Sequence, residues 1–459
     1  MEISAVIILA AGKSKRMKTK KSKLLHHLLG QPMIFYPLEL ARKLKPKKIV
    51  LVAGKESNDL RAGLSGEKIE LAVQREPKGT ADAVKAALPN LKSLQGSVLI
   101  LYGDDPLLTL KTIRRLLRIH RQTGATLSLL TAEFPEPSAL GRIVRDEKGR
   151  LRAIVEKADA TPEQKQIKEV NAGVYCVKMD FLKRALQEIQ TDNQQKEYYL
   201  TDLVEVAVRK NLPLSTFTAP DFSETLGVNS RAELIRASAV LQEKINQEWM
   251  ARGVTIENPS QVFIGPEVRI GIDTEIETGA RLMGKTRVGK NCRLQAGVRI
   301  IDSIIEDAVE VRQNSVIEQS HIKAGASIGP MARIRPGSIV GRKARIGNFV
   351  ELKKTSVGAK SAASHLSYLG DAVIGRKVNI GAGTITCNYD GFKKYQTIIE
   401  DEVFIGSDSQ LIAPVKVGKR AYIASGSTVT DNVPKDALVI SRSRQVVKPG
   451  WVKKRKRKK

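Results

Sequence analysis

Seven aliphatic residues recur at a spacing of six: Ile264, Ile270, Ile276, Leu282, Val288, Leu294 and Ile300. The beat returns at Ile322, Ile328, Ile334, Val340, Ile346 and Leu352, and again at Ile399, Ile405, Leu411, Val417, Ile423 and Val429. Neither a helix, at about 3.6 residues per turn, nor a strand, at two, generates such a period. A chain that coils over three flat faces does, because each face of six residues must aim one apolar side chain at the axis. The pattern therefore predicts a parallel β-helix over residues 254–446, with its clearest repeats ending near Val433. Glycines such as Gly265, Gly271, Gly347, Gly375 and Gly406 follow the inward position, as tight corners require. The rhythm is disturbed near Ser303–Ser320, and Asn388–Gln396 is too polar for a coil and is expected to loop out. A filled prism leaves chemistry only to its outer faces, or to junctions between prisms.

Residues 1–229 read differently. Strand-like runs at Ala5–Ala10, Lys48–Ala53, Glu70–Val73, Ser97–Tyr102 and Ala125–Thr131 alternate with helical runs such as Thr80–Leu88 and Leu110–Thr123. This alternation predicts an α/β domain with a largely parallel sheet. Ser230 and Glu233 form a capping-box pattern, and Leu234, Leu241, Ile245 and Trp249 line one side of the helix that follows. A connecting helix is expected over residues 230–253, and a basic tail over 447–459.

Composition narrows the picture. Low aromatic content, 4%, suits a core of Ile, Leu and Val. Three distant cysteines, Cys176, Cys292 and Cys387, indicate neither a disulfide framework nor a zinc site and fit a reducing compartment, so a cytoplasmic location is expected. The apolar run Ala5–Ala11 is short and preceded by Glu2, so it reads neither as a targeting segment nor as a membrane span. A formal charge of +29 suits phosphorylated substrates. Lys453–Lys459 reads as a solvated, unstructured arm, with weak non-specific contact to anionic partners such as nucleic acid as the sharper alternative.

Candidate chemistry begins where the first strand runs into Leu9-Ala-Ala-Gly-Lys-Ser-Lys-Arg-Met17. Small residues and Gly12 let backbone amides approach an anion, and Lys13, Arg16 and Lys23 neutralise it. Gln74 ends a strand and Gly79-Thr80-Ala81 opens a helix, a combination able to hold the polar edge of a pyrimidine. Tyr102-Gly103-Asp104 ends another strand, where α/β sheets carry functional carboxylates, and Asp104 can hold Mg2+ against phosphate oxygens. Among five histidines, His365 stands out beside Lys353-Lys354 and an amide-rich segment, Asn379–Gly391, that can bind a sugar phosphate.

In order, Leu-Ala-Ala-Gly-Lys with Arg16-Met17, Lys23, Gly79-Thr80, Tyr102-Gly103-Asp104, Gly141-Arg142-Ile143, Val155-Glu156, Asn171-Ala-Gly173, Glu197–Asp202 and Gly227-Val-Asn229 resemble the sugar-1-phosphate uridylyltransferases. Joined to the hexapeptide prism, the chain is similar to the bacterial bifunctional N-acetylglucosamine-1-phosphate uridylyltransferase/glucosamine-1-phosphate N-acetyltransferase family from about Ala5 to about Trp451. The resemblance implies a Rossmann-like nucleotidyltransferase domain followed by a left-handed β-helix. It implies that Asp104 and Asn229 share Mg2+ and that Lys23 and the loop Leu9, Ala10, Ala11 and Gly12 hold the triphosphate of UTP. Gln74 and Thr80 would read uracil, with Gly79, Tyr102 and Gly103 in the same pocket. Gly141, Glu156 and Asn171 would bind N-acetylglucosamine.

For the second half, the resemblance implies that Arg335, Lys353 and Lys394 hold the phosphate of glucosamine-1-phosphate, with Tyr368, Asn379 and Asn388 near the sugar. His365 would be the general base. Ala382, Ser407, Ser425 and Arg442 would contact acetyl-CoA, joined by Tyr389 of the Asn388-Tyr389 pair. A homotrimer with its acetyl-transfer site between prisms is also implied. The chain departs from the family at Ser14-Lys15, where Gly-Thr is usual, at Ser425, where alanine is usual, and at Asp105, where an uncharged residue is usual. A carboxylate at position 105 would either add to the cation site or face solvent. Two other readings are a single-activity sugar nucleotidyltransferase with a regulatory β-helix, and a non-catalytic scaffold that binds nucleic acid.

Overall fold

The structure is a computed structural model that describes residues 3–12, 15–19, 21–55, 57–136 and 140–456. Glu2, Lys13, Ser14 and the tail residues after 456 lie outside the described residues. The chain divides into two compact units, Met1–Leu241 and Gln242–Lys459.

The first unit is built on a nine-stranded sheet. Strand Ala5–Ala10 is buried throughout and pairs in parallel with Lys48–Gly54 on one side and Ser97–Tyr102 on the other. Its unbroken run of Ala, Val, Ile and Leu is the composition of a strand covered on both faces. Glu70–Gln74 extends the parallel set, whereas Glu169–Lys178 enters antiparallel between Ser97–Tyr102 and Leu127–Glu133. Two apolar cores lie on opposite faces, one containing Val6 and Ile8, the other Ile7 and Leu9. The parallel strands deliver Ala10, Gln74 and Tyr102 at their carboxyl ends, where open α/β sheets bind ligands.

Helix Arg231–Ala251 opens on the expected capping box. Glu233 accepts from the Asn229 and Ser230 amides at 2.6 and 3.0 Å, and Ser230 accepts from the Glu233 amide at 3.2 Å. The boundary between units falls inside this helix, after Leu241. Leu234, Ala237 and Leu241 join a core of the first unit, while Ile245 and Trp249 join that of the second.

In the second unit three parallel ladders of 11, 10 and 9 short strands form the three faces of a prism. The first face starts at Thr255–Ile256, the second at Phe263–Ile264 and the third at Arg269–Ile270. Every aliphatic residue of the six-residue series is buried on the axis. Early rungs pair residues 18 apart, such as Arg269 with Arg287. From Arg287 with Ile304 the step falls to 17, returns to 18 at His321 with Ile339, and falls again at Ile339 with Ser356. The disturbance near Ser303–Ser320 is therefore one residue missing from a corner in each of two successive coils. The missing residue always comes from the edge between the second and third faces, where Asp302, Gln319, Lys354 and Asp371 take left-handed φ of 41–49°. Asn388–Gln396 loops out at that same edge, between Ile385–Cys387 and Thr397–Ile399.

Two expectations about the end of the chain change. The last rung is Leu438–Val439, paired with Tyr422–Ile423, so the prism reaches beyond Val433 but shows no strand between Val439 and residue 446. The arm is not wholly irregular: Trp451–Lys456 forms an exposed helical turn, with the Arg455 guanidinium 4.9 Å from the Trp451 ring centroid.

Candidate functional sites

At the carboxyl ends of the parallel strands lies a pocket of about 510 Å3. Leu9, Ala10, Ala11, Gly12, Lys23, Gln74, Gly79, Thr80, Tyr102 and Asp104 line it, so the predicted nucleotide residues come together. Gly103 lies beneath, its amide donating to the Leu9 carbonyl at 2.9 Å. Gly79 has φ +117°, and a Cβ there would sit 2.5 Å from the Tyr198 carbonyl oxygen, so only glycine fits. Gln74 is buried and donates to the Gly79 carbonyl at 3.0 Å and to Asp82 at 2.8 Å, which fixes its amide against the start of the helix. Thr80 accepts from the Leu200 amide at 2.9 Å.

Lys23 is buried, and its ammonium bridges Asp104 and Asn229, 2.7 Å from Asn229 Oδ1. Two side-chain oxygens from distant parts of the chain thus converge on one positive charge. Such oxygen donors suit a hard divalent cation. The sequence places Lys23 on the triphosphate; here its ammonium bridges the two residues expected to share the cation. Asp105 does not face solvent: its carboxyl is half-buried between Gly173 and Gly227, with Oδ1 2.9 Å from where a Gly227 Cβ would sit. Burial, then the charge of Asp104, push its pKa well above the usual carboxylate range.

Gly141, Glu156 and Asn171 form a neighbouring group. The Asn171 amide donates to the Gly141 carbonyl at 2.9 Å, and a Cβ on Gly141 would approach both Glu156 carboxyl oxygens to 3.4 Å. Asn171 Nδ2 donates to the Tyr175 hydroxyl at 2.6 Å. Burial raises the pKa of Glu156, and burial pushes that of nearby Asp202 up to about 7. Glu197 also lines the nucleotide pocket, yet no role was assigned to it from sequence. It opens the Glu197–Asp202 run that contributes to the resemblance, but only the fold brings its side chain to the pocket.

On the prism, register arranges the second set of residues. Ala363, Ile380, Ile405 and Ile423 are successive inward partners on the first face. Two residues beyond each stand His365, Ala382, Ser407 and Ser425. They form a column along the edge between the first and second faces, one per coil at the ladder spacing of about 4.8 Å. Arg442 closes the column, its Nη1 donating to the Ser425 carbonyl at 2.6 Å. His365 is exposed, and its ring makes no hydrogen bond to another described residue.

The second face carries the cations. Arg335 pairs with Glu351 at 2.8 Å, and Tyr368 follows Glu351 in register. Lys353 follows Arg335 up the same side of the face, and its neighbour in register is Gly370. A Cβ on Gly370 would sit 2.5 Å from the Tyr368 hydroxyl and 2.8 Å from Asn388 Nδ2, so glycine makes room for both. The loop returns as a small hairpin, with a bridge between Tyr389 and Lys394. It brings Lys394 to Lys353, and that contact lowers the pKa of Lys394. Two ammonium groups held together form a receptor for an anion. Asn388 is buried and donates to Asp371, the Tyr389 hydroxyl donates to the Gly391 carbonyl at 2.6 Å, and Asn379 lies apart on the first face. One chain therefore does not gather all the predicted acetyl-transfer residues: they occupy two faces and an edge.

Comparison with known proteins accounts for both halves. A nucleotidyl transferase family model matches residues 5–250. A GMPPB C-terminal domain model matches 264–344, and a bacterial transferase hexapeptide model of six repeats matches 396–431. Among its relatives, the bifunctional protein GlmU of Trichlorobacter lovleyi is 47% identical over 99% of each chain. That of Geobacter sulfurreducens is 44% identical over 100% of each, and that of Shouchella clausii 44% over 98% of each. With more than half of its length matched by the nucleotidyl transferase model and full-length identity far above 30%, the chain belongs to the bifunctional GlmU family of N-acetylglucosamine-1-phosphate uridylyltransferases/glucosamine-1-phosphate N-acetyltransferases.

Proposed function

We propose that the chain makes UDP-N-acetylglucosamine in two steps, acetylating glucosamine-1-phosphate on the prism and uridylylating the product in the first unit. The observation that carries the first step is the edge column of His365, Ala382, Ser407 and Ser425 beside the paired ammonium groups of Lys353 and Lys394. Lys353, Lys394 and Arg335 hold the sugar phosphate, with Tyr368 against the ring. His365 takes a proton from the glucosamine amine as its nitrogen attacks the thioester carbonyl, and the coenzyme A thiolate leaves and is reprotonated. An exposed imidazole free of competing hydrogen bonds suits that role. Ala382, Ser407, Ser425 and Arg442 run in line with the base and offer an extended track for acetyl-CoA, with Tyr389 overhanging from the loop.

In the first unit, Gly12 and its neighbours cradle the triphosphate of UTP, Gln74 and Thr80 face the uracil, and Gly141, Glu156 and Asn171 receive N-acetylglucosamine-1-phosphate. A phosphate oxygen of the sugar attacks the α-phosphorus in line, and pyrophosphate departs. Asp104 and Asn229 would hold Mg2+, which when bound neutralises charge on the phosphates. Lys23, whose ammonium bridges Asp104 and Asn229, lines the same pocket and would meet the phosphates itself.

The scattered acetyl-transfer residues support assembly of complete sites between copies, in a homotrimer. Its contact surface is the third face, where Ile304, Ile339, Val373 and Ile398 are exposed on rungs of one ladder, bounded by Arg287 and Lys416. Three free cysteines, two of them buried, are consistent with a cytoplasmic location; among the described residues no helix is long and apolar enough to cross a membrane. The deciding assay supplies acetyl-CoA, glucosamine-1-phosphate, UTP and Mg2+ and follows free thiol and pyrophosphate separately. Both should appear; pyrophosphate without thiol would instead favour the single-activity nucleotidyltransferase.

A further inference from the structure

The first unit has a second cleft, of about 560 Å3, slightly larger than the nucleotide pocket. It lies at the opposite end of the sheet: Ile3 and Ser97, at the amino ends of the parallel strands, line it, whereas the nucleotide pocket takes Leu9 and Tyr102 from their carboxyl ends. Four cations surround it, Lys43 from the end of helix Phe35–Lys43 and Arg114, Arg118 and Arg121 from helix Leu110–Gln122. Among the described residues no carboxylate lines the cleft, and none of the four cations has an ion pair.

The floor is polar and fixed. Ser97 Oγ lies 2.9 Å from His120 Nε2, and His120 Nδ1 lies 2.8 Å from Ser128 Oγ, which in turn meets Ser215 at 2.6 Å. This buried chain holds one rotamer of His120 and presents Ser97 to the cleft. Leu44 and Leu117 supply an apolar wall. A helix needs only one polar face to stay soluble; here three arginines at spacings of four and three crowd one wall of a concave space, where like charges repel without a counterion. We infer that this cleft binds a small, multiply charged phosphate anion, at a site separate from both catalytic sites.

The test is isothermal titration of the full-length protein with inorganic tripolyphosphate at moderate salt. The wild type should show one more binding event per chain than the Arg114→Glu/Arg118→Glu variant. A control variant, Lys111→Glu/Arg115→Glu, makes the same charge change on the same helix outside the cleft and should keep the event. Uridylyl transfer by both variants reports that the unit is folded. Equal stoichiometry in wild type and the Arg114/Arg118 variant would overturn the inference, as would loss of the event in the control, which would reduce binding to net charge.

Discussion

His365 and Asp104 sit in different units, so their losses should separate. His365→Ala is expected to abolish thiol release from acetyl-CoA while leaving pyrophosphate release intact, and Asp104→Ala to do the reverse, in coupled assays of each step. Loss of both activities by either folded variant would refute separate sites. Gly79 tolerates nothing larger, given its φ of +117° and the Tyr198 carbonyl 2.5 Å from any Cβ. Gly79→Ala should cost about 1–3 kcal/mol in denaturant unfolding of the first unit and raise the KM for UTP. Asp202 makes a pH prediction. Its folded pKa of about 7 lies above its ordinary value of 3.8, so the folded state holds its proton more tightly than the unfolded state. Stability from this group is present below pH 3.8 and lost as pH rises toward 7. Asp202→Asn should therefore raise the melting temperature by about 2–4 °C at pH 8 and leave it unchanged near pH 3.5, as read by calorimetry.

At the scale of elements, the prism absorbs changes in length at one edge. The rung from Ile385 to Gln410 steps 25 residues, against 17 for the rung before it, so the hairpin adds eight. Removing residues 389–396 would return a 17-residue coil and put Asn388 where Lys354 and Asp371 take left-handed φ, a conformation asparagine accepts. The shortened chain should melt within about 3 °C of the parent and keep uridylyl transfer, yet lose acetyl transfer with Lys394 and Tyr389. The repeat was legible because nearly every inward position is aliphatic and its period matches nothing else. The missing corner residues were not, since they are exposed and leave only an irregular beat. Thr386 hides another coil: it takes an aliphatic slot and bonds to Gly370 inside the prism. In the first unit, strands with continuous apolar runs matched their observed limits to within two residues. The positions of Lys23, Asp105 and Glu197 depend on segments that meet only after folding, so no spacing rule gives them. The column of His365, Ala382, Ser407 and Ser425 was present as residues but not as a line, because an eight-residue insertion conceals its register.

At the scale of the whole molecule, the proposed trimer makes acetyl transfer depend on copies meeting and leaves uridylyl transfer independent of them. Ile339→Glu with Val373→Glu should yield a monomer by light scattering that retains pyrophosphate release and loses thiol release. A monomer still active in acetyl transfer would remove the third face from the proposal. The division of the chain inside helix Arg231–Ala251 bears on any attempt to work with the halves alone. A cut before Arg231 takes Leu234 and Ala237 from the nucleotide half and leaves its sheet with an uncovered greasy scar. A cut after Ala251 robs the other half of the Trp249 lid on its first coil. Scissors placed at either end of the helix would thus manufacture a sticky fragment, whereas two overlapping pieces, each keeping the whole helix, would come out clean.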